Sequence, residues 1–330
     1  MNFGVIGEPC IDYIHRDGEK MQEKLGGILY AVTGLSLIAR DEHAVYPVMN
    51  LGSDRYDYII SFLSGLKNIR FDFIKKVTGK VRVVQLFYKN REESYICPGD
   101  SHGNPVSKKT YDREESSTEP IEPIEYELLS GNINKLDGLL INMVSGVDIT
   151  LDTLKKIRKY FRGYIHLDIH NVVMKTAADG KRCQGPVNDW FEWLTCCDTL
   201  QMNETEASVI SPEKLREYDI AYKVLSAEIS GTKAMVITRG HEGVSLFTKK
   251  KNINNKEVYF DIDRLDEPAI ENNHFKDSTG CGDILGAGFF YRNALTSGKE
   301  FPAALMFANK LAGKKTQYTG VEEMAERGFH

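Results

Sequence analysis

Asp277-Ser278-Thr279-Gly280-Cys281-Gly282-Asp283 runs directly into Ile284-Leu285-Gly286-Ala287-Gly288-Phe289. The spacing of Ile284, Leu285, Gly288, Phe289, Tyr291 and Leu295 predicts a helix, and Gly298 stands where a left-handed residue would end it. Gly280 and Gly282 therefore lie at a helix N-terminus, where unpaired N–H groups and the positive end of the dipole attract an anion. With no Cβ, glycine lets a phosphate come close to that backbone. Asp283 in the first turn favours the helix by roughly 0.3–1 kcal/mol, which accounts for it in part. Beside a phosphate, however, its charge is repulsive. It makes chemical sense there as the base that takes a proton from a hydroxyl attacking that phosphate. The chain has no G-x-x-x-x-G-K-[ST] loop, so this is a different phosphate-binding turn.

Upstream of the turn, short apolar runs alternate with amphipathic stretches. Strands are predicted at Phe3–Ile6, Ala44–Asn50, Leu139–Val144, Tyr164–Ile169, Thr199–Met202, Ala234–Thr238 and Val244–Thr248. Several are apolar at consecutive positions, as expected of strands covered on both faces. Asp152–Phe161 carries a helical stripe of Leu154, Ile157, Arg158 and Phe161. This alternation argues for a doubly wound, mostly parallel α/β sheet with helices on both faces. Residues of about 9–25 and 72–125 break the pattern. The second stretch holds strand-like Val81–Tyr88 and Ser94–Ile96, then the polar run Asp112–Glu125. A small projecting β-sheet with a mobile loop behind it is the expected outcome, with the acidic Glu114–Glu127 run solvated.

At 330 residues, 42% hydrophobic and 27% charged, the chain is long enough for one large globular domain. A net charge of −5 gives no general field for nucleic acid or an anionic membrane, so phosphate binding has to be local. No apolar run approaches the roughly 20 residues of a bilayer span, and MNFGVIGEPC reads as a strand rather than a leader, so a cytoplasmic protein is expected. Six cysteines without a C-x-x-C pair point to reduced, buried thiols rather than disulfides or structural zinc.

The Asp277–Asp283 segment resembles the signature D-[TS]-[TV]-G-[AC]-G-D of the ribokinase-like (PfkB) carbohydrate kinases. Three further landmarks follow the family in order. Gly26-Gly27 is similar to its N-terminal double glycine, Asn203-Glu204-Thr205-Glu206 to its N-x-x-E element, and Ile237–Val244 to its V-T-x-G-x-x-G segment. The resemblance implies a single kinase domain over residues 1–330, with lid segments near 9–25 and 72–125. It implies transfer of the γ-phosphate of ATP to a hydroxyl of a small sugar-like acceptor. Asp283 would be the base, and the N–H groups of Gly280, Cys281 and Gly282 the anion hole. Glu206 would position Mg²⁺ through water and Asn203 orient the phosphates, although Asn203 and Glu206 also read as an N-cap and its capping box. Thr238 and Gly240 would meet the phosphates with Arg239 assisting, and Gly243 closes the same element, which a plain hairpin would also explain. Asn309, on a helix predicted at Pro302–Lys315, would line the adenine pocket. The backbone around Asp277 resembles a monovalent-cation loop, implying K⁺ activation. A homodimer is compatible with the family.

On the acceptor side the resemblance places Asp12 against substrate hydroxyls and Gly26 and Gly27 against the sugar ring. Where relatives carry G-G-x-x-x-N, Ala31 replaces the amide. A less hydroxylated or bulkier acceptor than ribose is therefore expected, because an alanine neither donates nor accepts. His166, Asp168 and His170 alternate along a predicted strand. They read as polar residues near the cleft, or as a transition-metal set on one face. A nucleoside kinase of the same fold and a non-catalytic ligand sensor are the rival functions. An oxidoreductase is disfavoured because no G-x-G-x-x-G follows Phe3–Ile6.

Overall fold

The computed structural model describes residues 1–16, 18–89, 112–176, 182–254, 257–270 and 274–329. In chain order the strands begin with β1 (Asn2–Ile6), β2 (Pro9–Arg16), β3 (Gln22–Gly27), β4 (Ala44–Gly52) and β5 (Ile74–Val77). Next come β6 (Arg82–Lys89), β7 (Asp112–Ser117), β8 (Gly138–Asn142), β9 (Tyr164–Asp168) and β10 (Met174–Thr176). The last are β11 (Arg182–Gln184), β12 (Thr199–Asn203), β13 (Ala234–Thr238), β14 (Val244–Asn254) and β15 (Glu257–Glu267). The helices are α1 (Leu29–Ile38), α2 (Tyr56–Ser64), α3 (Tyr126–Ser130), α4 (Leu151–Tyr160) and α5 (Trp190–Thr195). They continue with α6 (Glu204–Val209), α7 (Glu217–Ser226), α8 (Cys281–Thr296), α9 (Phe301–Lys315) and α10 (Gly320–Arg327).

Among the described residues, nine strands form one sheet in the order β15-β14-β13-β12-β9-β8-β1-β4-β5. Pairings from β13 through β5 are parallel, and β14 and β15 extend the sheet antiparallel. Period-two alternation sends successive side chains to opposite faces. Thus Leu139 and Ile141 of β8 and Met235 and Ile237 of β13 join the core under α4, α5, α6 and α7. Phe3 and Val5 of β1 and Leu140 of β8 point the other way, into the core shared with α1, α2, α8 and α10. Ala234 and Val236 meet Leu285 and Phe289 of α8 and Leu305 of α9. Both faces are covered, which is why β8 and β9 are buried at every position. Truncating a core ring such as Phe289 to alanine would cost about 3–5 kcal/mol.

The predicted stripe of α4 is present: Leu154 and Ile157 are fully buried, and Thr150 caps the helix by accepting from the Thr153 N–H at 3.1 Å. Phe161 packs just past its end, whereas Arg158 leaves the stripe to pair with Asp198 at 3.2 Å.

A separate four-stranded sheet, β3-β2-β6-β7, stands over the carboxyl ends of the parallel strands. Two expectations for residues 72–125 need correction. β5 pairs with β4 in the main sheet, because Ile74 packs on the α1–α2 core rather than projecting outward. Asp112–Ser117, read as the start of a loop, is instead strand β7 paired with β6. Strand-like Ser94–Ile96 lies outside the described residues. No helix among the described residues is long and apolar enough to cross a membrane.

Candidate active site

Between the two sheets lies a cleft of about 750 Å³. Its floor is made by residues at the carboxyl ends of parallel strands, Asp168 of β9, Asn203 of β12 and Thr238 of β13, where open α/β sheets present ligands. Its roof is one face of the small sheet. Asp12 of β2 and Arg82, Val84 and Leu86 of β6 alternate onto that face. Asp283 comes from the first turn of α8.

Gly280 is the N-cap of α8 and takes φ of +80°. A Cβ there would fall 2.4 Å from the ring of Tyr30, so only glycine fits both the left-handed backbone and the space. Asp277 fixes the start of the turn: its Oδ1 accepts from the Thr279 N–H at 3.0 Å and from the Thr279 hydroxyl at 2.9 Å. Its Oδ2 faces Lys315 Nζ at 3.2 Å. Gly280, Cys281 and Gly282 all line the cleft. Burial holds the Cys281 thiol up at about 12, so it stays protonated.

Asp283 is half-buried, open to the cleft but otherwise surrounded by protein. Removal from bulk water raises its carboxyl to about 7, against a lowering by its hydrogen bond from Asn142; nearby Asp12 adds to the rise and Lys315 opposes it. The Asn142 amide donates to Oδ1 at 2.5 Å. A carboxylate that titrates near neutrality, oriented through one oxygen, is suited to general-base chemistry.

Asn203 and Glu206 form the predicted capping box on α6. Glu206 N donates to Asn203 Oδ1 at 2.8 Å, and Asn203 N donates to Glu206 Oε2 at 2.7 Å. The Asn203 amide also donates to Glu206 Oε1 at 2.6 Å, so both carboxylate oxygens are engaged. Burial raises Glu206 to about 7. Asp168 is pushed well above the usual carboxylate range, first by burial and then by the charges of Glu206 and Asp283. Among the described residues no three His, Cys, Asp or Glu side chains are grouped to hold a metal directly. Asp168 and Glu206 suit a hydrated divalent cation held through water, which would relieve the mutual repulsion of their charges.

Thr238, Gly240, Gly243 and Asn309 also line the cleft, with the Asn309 amide donating to the Pro268 carbonyl at 2.7 Å. Arg239 does not. Its guanidinium donates to Glu217 through both terminal nitrogens and lies 3.6 Å from Glu204. Its charge is thereby committed to α7 and α6, contrary to the expectation that it assists phosphates.

The acceptor side also departs from expectation. A Cβ at Gly26 would lie 2.1 Å from Asp12 Oδ2, so this glycine makes room for the Asp12 carboxylate rather than for a sugar ring. Gly27 (φ +63°) does reach the cleft. Ala31 is fully buried in the α1 core and lines no part of it, whereas its neighbour Tyr30 does. The side chain at position 31 therefore faces the core rather than an acceptor, contrary to the expectation that its missing amide limits the acceptor's hydroxyls. The one-face reading of His166, Asp168 and His170 fails as well. β9 ends at Asp168 and His166 is buried against Thr199, Nδ1 to Oγ1 at 2.9 Å, whereas His170, with φ of +42°, lines the cleft beside Asp168.

Several cleft residues escaped the sequence reading. Gln201, inside an apolar strand, donates to Asp168 Oδ2 and to the Gly282 carbonyl, each at 3.0 Å, tying the strand to the glycine turn. Its signal was a buried-type polar residue in Thr199–Asn203. Asn142 interrupts the apolar run Leu139–Val144 in the same way. Arg82 pairs with Glu8 at 3.4 Å under the roof and gave no signal, because an arginine in a strand is ordinary.

Residues 167–327 match the family model described as pfkB family carbohydrate kinase. That segment holds the glycine turn and Asp283, and the fold around it is ribokinase-like. No curated protein sequence matches the chain. Among solved structures, this chain is similar to a ribokinase from Thermotoga maritima, at 21% identity and a TM-score of 0.65, over 97% of this chain and 94% of that one. A fructokinase with bound ATP from Xylella fastidiosa matches over 97% and 94% of the two chains, at 14% identity and a TM-score of 0.65. A pyrophosphate-dependent kinase of the ribokinase family, complexed with a pyrophosphate analogue and myo-inositol, matches over 99% and 100%, also at 14% and 0.65. At these identities the likeness is one of fold.

Proposed function

We propose that this chain, as a PfkB-family kinase, transfers the γ-phosphoryl group of ATP to a hydroxyl of a small sugar-like molecule. The observation that carries this reading is Asp283, a carboxyl raised to about 7 on the first turn of a glycine-led helix, with one oxygen held by Asn142. The acceptor hydroxyl gives its proton to Asp283 Oδ2 as its oxygen bonds to the γ-phosphorus. The bond from that phosphorus to the bridging oxygen breaks, and ADP leaves. The N–H groups of Gly280 and Gly282 stabilise charge on the transferring group, whereas the Cys281 N–H, expected to join them, donates to the Ser278 carbonyl at 3.1 Å. Glu206 and Asn203 would orient the water shell of Mg²⁺, which would supply charge neutralisation for the phosphates. Asp12 anchors acceptor hydroxyls, and Val84 and Leu86 exclude water above them.

ATP is favoured over pyrophosphate as donor because Arg82, on the acceptor side, is the sole arginine or lysine lining the cleft among the described residues. A helix N-terminus and a magnesium–nucleotide suit that arrangement better than a small free polyanion. The test is acceptor-dependent ADP formation over ribose, fructose, 2-keto-3-deoxygluconate, inosine and adenosine, repeated with pyrophosphate as donor. Turnover with a sugar and ATP supports the reading, turnover only with a nucleoside moves it to the nucleoside kinases, and turnover only with pyrophosphate overturns the donor. Tight acceptor binding with no turnover on either donor supports a sensor.

A further inference from the structure

Lys315, at the C-terminal end of α9, is fully buried, with 0% of its surface exposed. An ammonium taken out of water is costly unless its N–H groups all find oxygens. Here they do. Nζ donates to Asp277 Oδ2 at 3.2 Å, to the Asp277 carbonyl at 3.3 Å and to the Tyr318 carbonyl at 3.2 Å. The face of Tyr30 lies 5.4 Å from it. These oxygens, a carboxylate and two backbone carbonyls, are the donor type that holds hard cations. An ammonium head carries the charge of K⁺ and is close to it in size.

The position matters as much as the donor set. Asp277 opens the turn that leads to Gly280, and its second oxygen is already spent on Thr279. An uncompensated Asp277 charge would sit just behind an anion site and oppose it. Tyr30, which lies under Lys315 on one side, packs against Gly280 on the other. One lysine thus neutralises the carboxylate and braces the turn. K⁺ does not fit here, because the oxygens it would take are engaged by a charge that cannot diffuse away.

We propose that the Lys315 ammonium acts as a tethered monovalent cation, supplying from within the chain the fixed charge that a solution ion would otherwise bring to the Asp277 turn. Its effect on rate rests on the kinase reading above, whereas its effect on ion binding does not. Lys315 is a positioning residue that acts through Asp277 and the α8 N-terminus. Its charge also favours the ionised form of Asp283.

The experiment compares KCl, NH₄Cl and choline chloride at one ionic strength of about 0.1 M, so that screening is constant. Melting temperature, ATP affinity by titration and, where an acceptor is known, turnover are read for the parent, Lys315→Ala and Lys315→Met. The parent is expected to be indifferent to the cation in every readout. Lys315→Ala is expected to lose roughly tenfold or more in ATP affinity or turnover in choline, as for loss of a preorganised charge. KCl or NH₄Cl should restore part of that loss and raise its melting temperature, whereas Lys315→Met, which fills the space, should not be rescued. A parent that KCl stabilises or activates severalfold over choline overturns the proposal. So does Lys315→Ala with parental ATP affinity and no response to K⁺. Should both variants fail to fold, the parent's melting and ATP titrations still decide, and neither needs turnover, so they separate this proposal from the kinase reading.

Discussion

Asp283→Asn should make the protein slower and, at alkaline pH, more stable. A carboxyl moved from 3.8 to about 7 disfavours its charged form by about 1.4 kcal/mol per tenfold, about 4 kcal/mol in all. Its open side toward cleft water screens that figure, leaving about 1–2 kcal/mol. The sign follows from linkage. Below the unfolded value both states hold the proton, and no penalty exists. Between about 4 and 7 the unfolded chain releases its proton first, so folded stability falls as pH rises, and above about 7 the penalty is complete. Asp283→Asn removes it while keeping an oxygen for the Asn142 amide. Thermal melts at pH 8 should place the variant a few degrees above the parent, and the gap should narrow toward pH 5. Turnover should fall by roughly 10²–10⁴, the usual worth of a positioned base, with ATP binding retained. In the parent, kcat/KM should decline below pH 7 as Asp283, and with it Glu206, takes up a proton. Parental turnover in the variant, or a variant less stable than the parent at pH 8, would refute the reasoning.

Glu206→Gln should raise the Mg²⁺ concentration for half-maximal rate with little change in acceptor KM; if only melting temperature falls, by about the 1 kcal/mol of a lost cap, the residue is a cap alone. Gly280→Ala, which forces a methyl toward Tyr30 at φ of +80°, should cost at least roughly tenfold in ATP affinity. Unchanged affinity by titration would move the anion site elsewhere. Asp12→Asn should lower kcat/KM for the acceptor by roughly 10²-fold while leaving KM for ATP alone, the pattern of a lost charged hydrogen bond to one substrate.

Those residues differ in how far the sequence announced them. The Asp277–Asp283 turn was legible because a left-handed glycine, a helix start and an odd carboxylate are local features, each written in adjacent residues. The parallel sheet was legible because strands covered on both faces must be apolar throughout. What the sequence hid is long-range. Nothing near Lys315 says that it bends back to Asp277, 38 residues away along the chain. Arg239 follows a strand end as a phosphate-binding residue would, yet Glu217 of another helix captures it. Gly26 answers to Asp12 across a β-ladder, and Ala31 points into the core by the rotation of α1. β5 was misplaced because four residues with two central lysines carry too little pattern to name their sheet.

The most direct test follows the phosphorus itself. The chain is incubated with Mg²⁺, ATP labelled at the γ-phosphate and each acceptor of the panel, and the products are resolved by mass spectrometry. The account predicts one labelled phosphate monoester per molecule of ADP formed, dependent on the acceptor and abolished by Asp283→Asn. Label appearing only as inorganic phosphate, or a sugar phosphate formed equally well by Asp283→Asn, would contradict it.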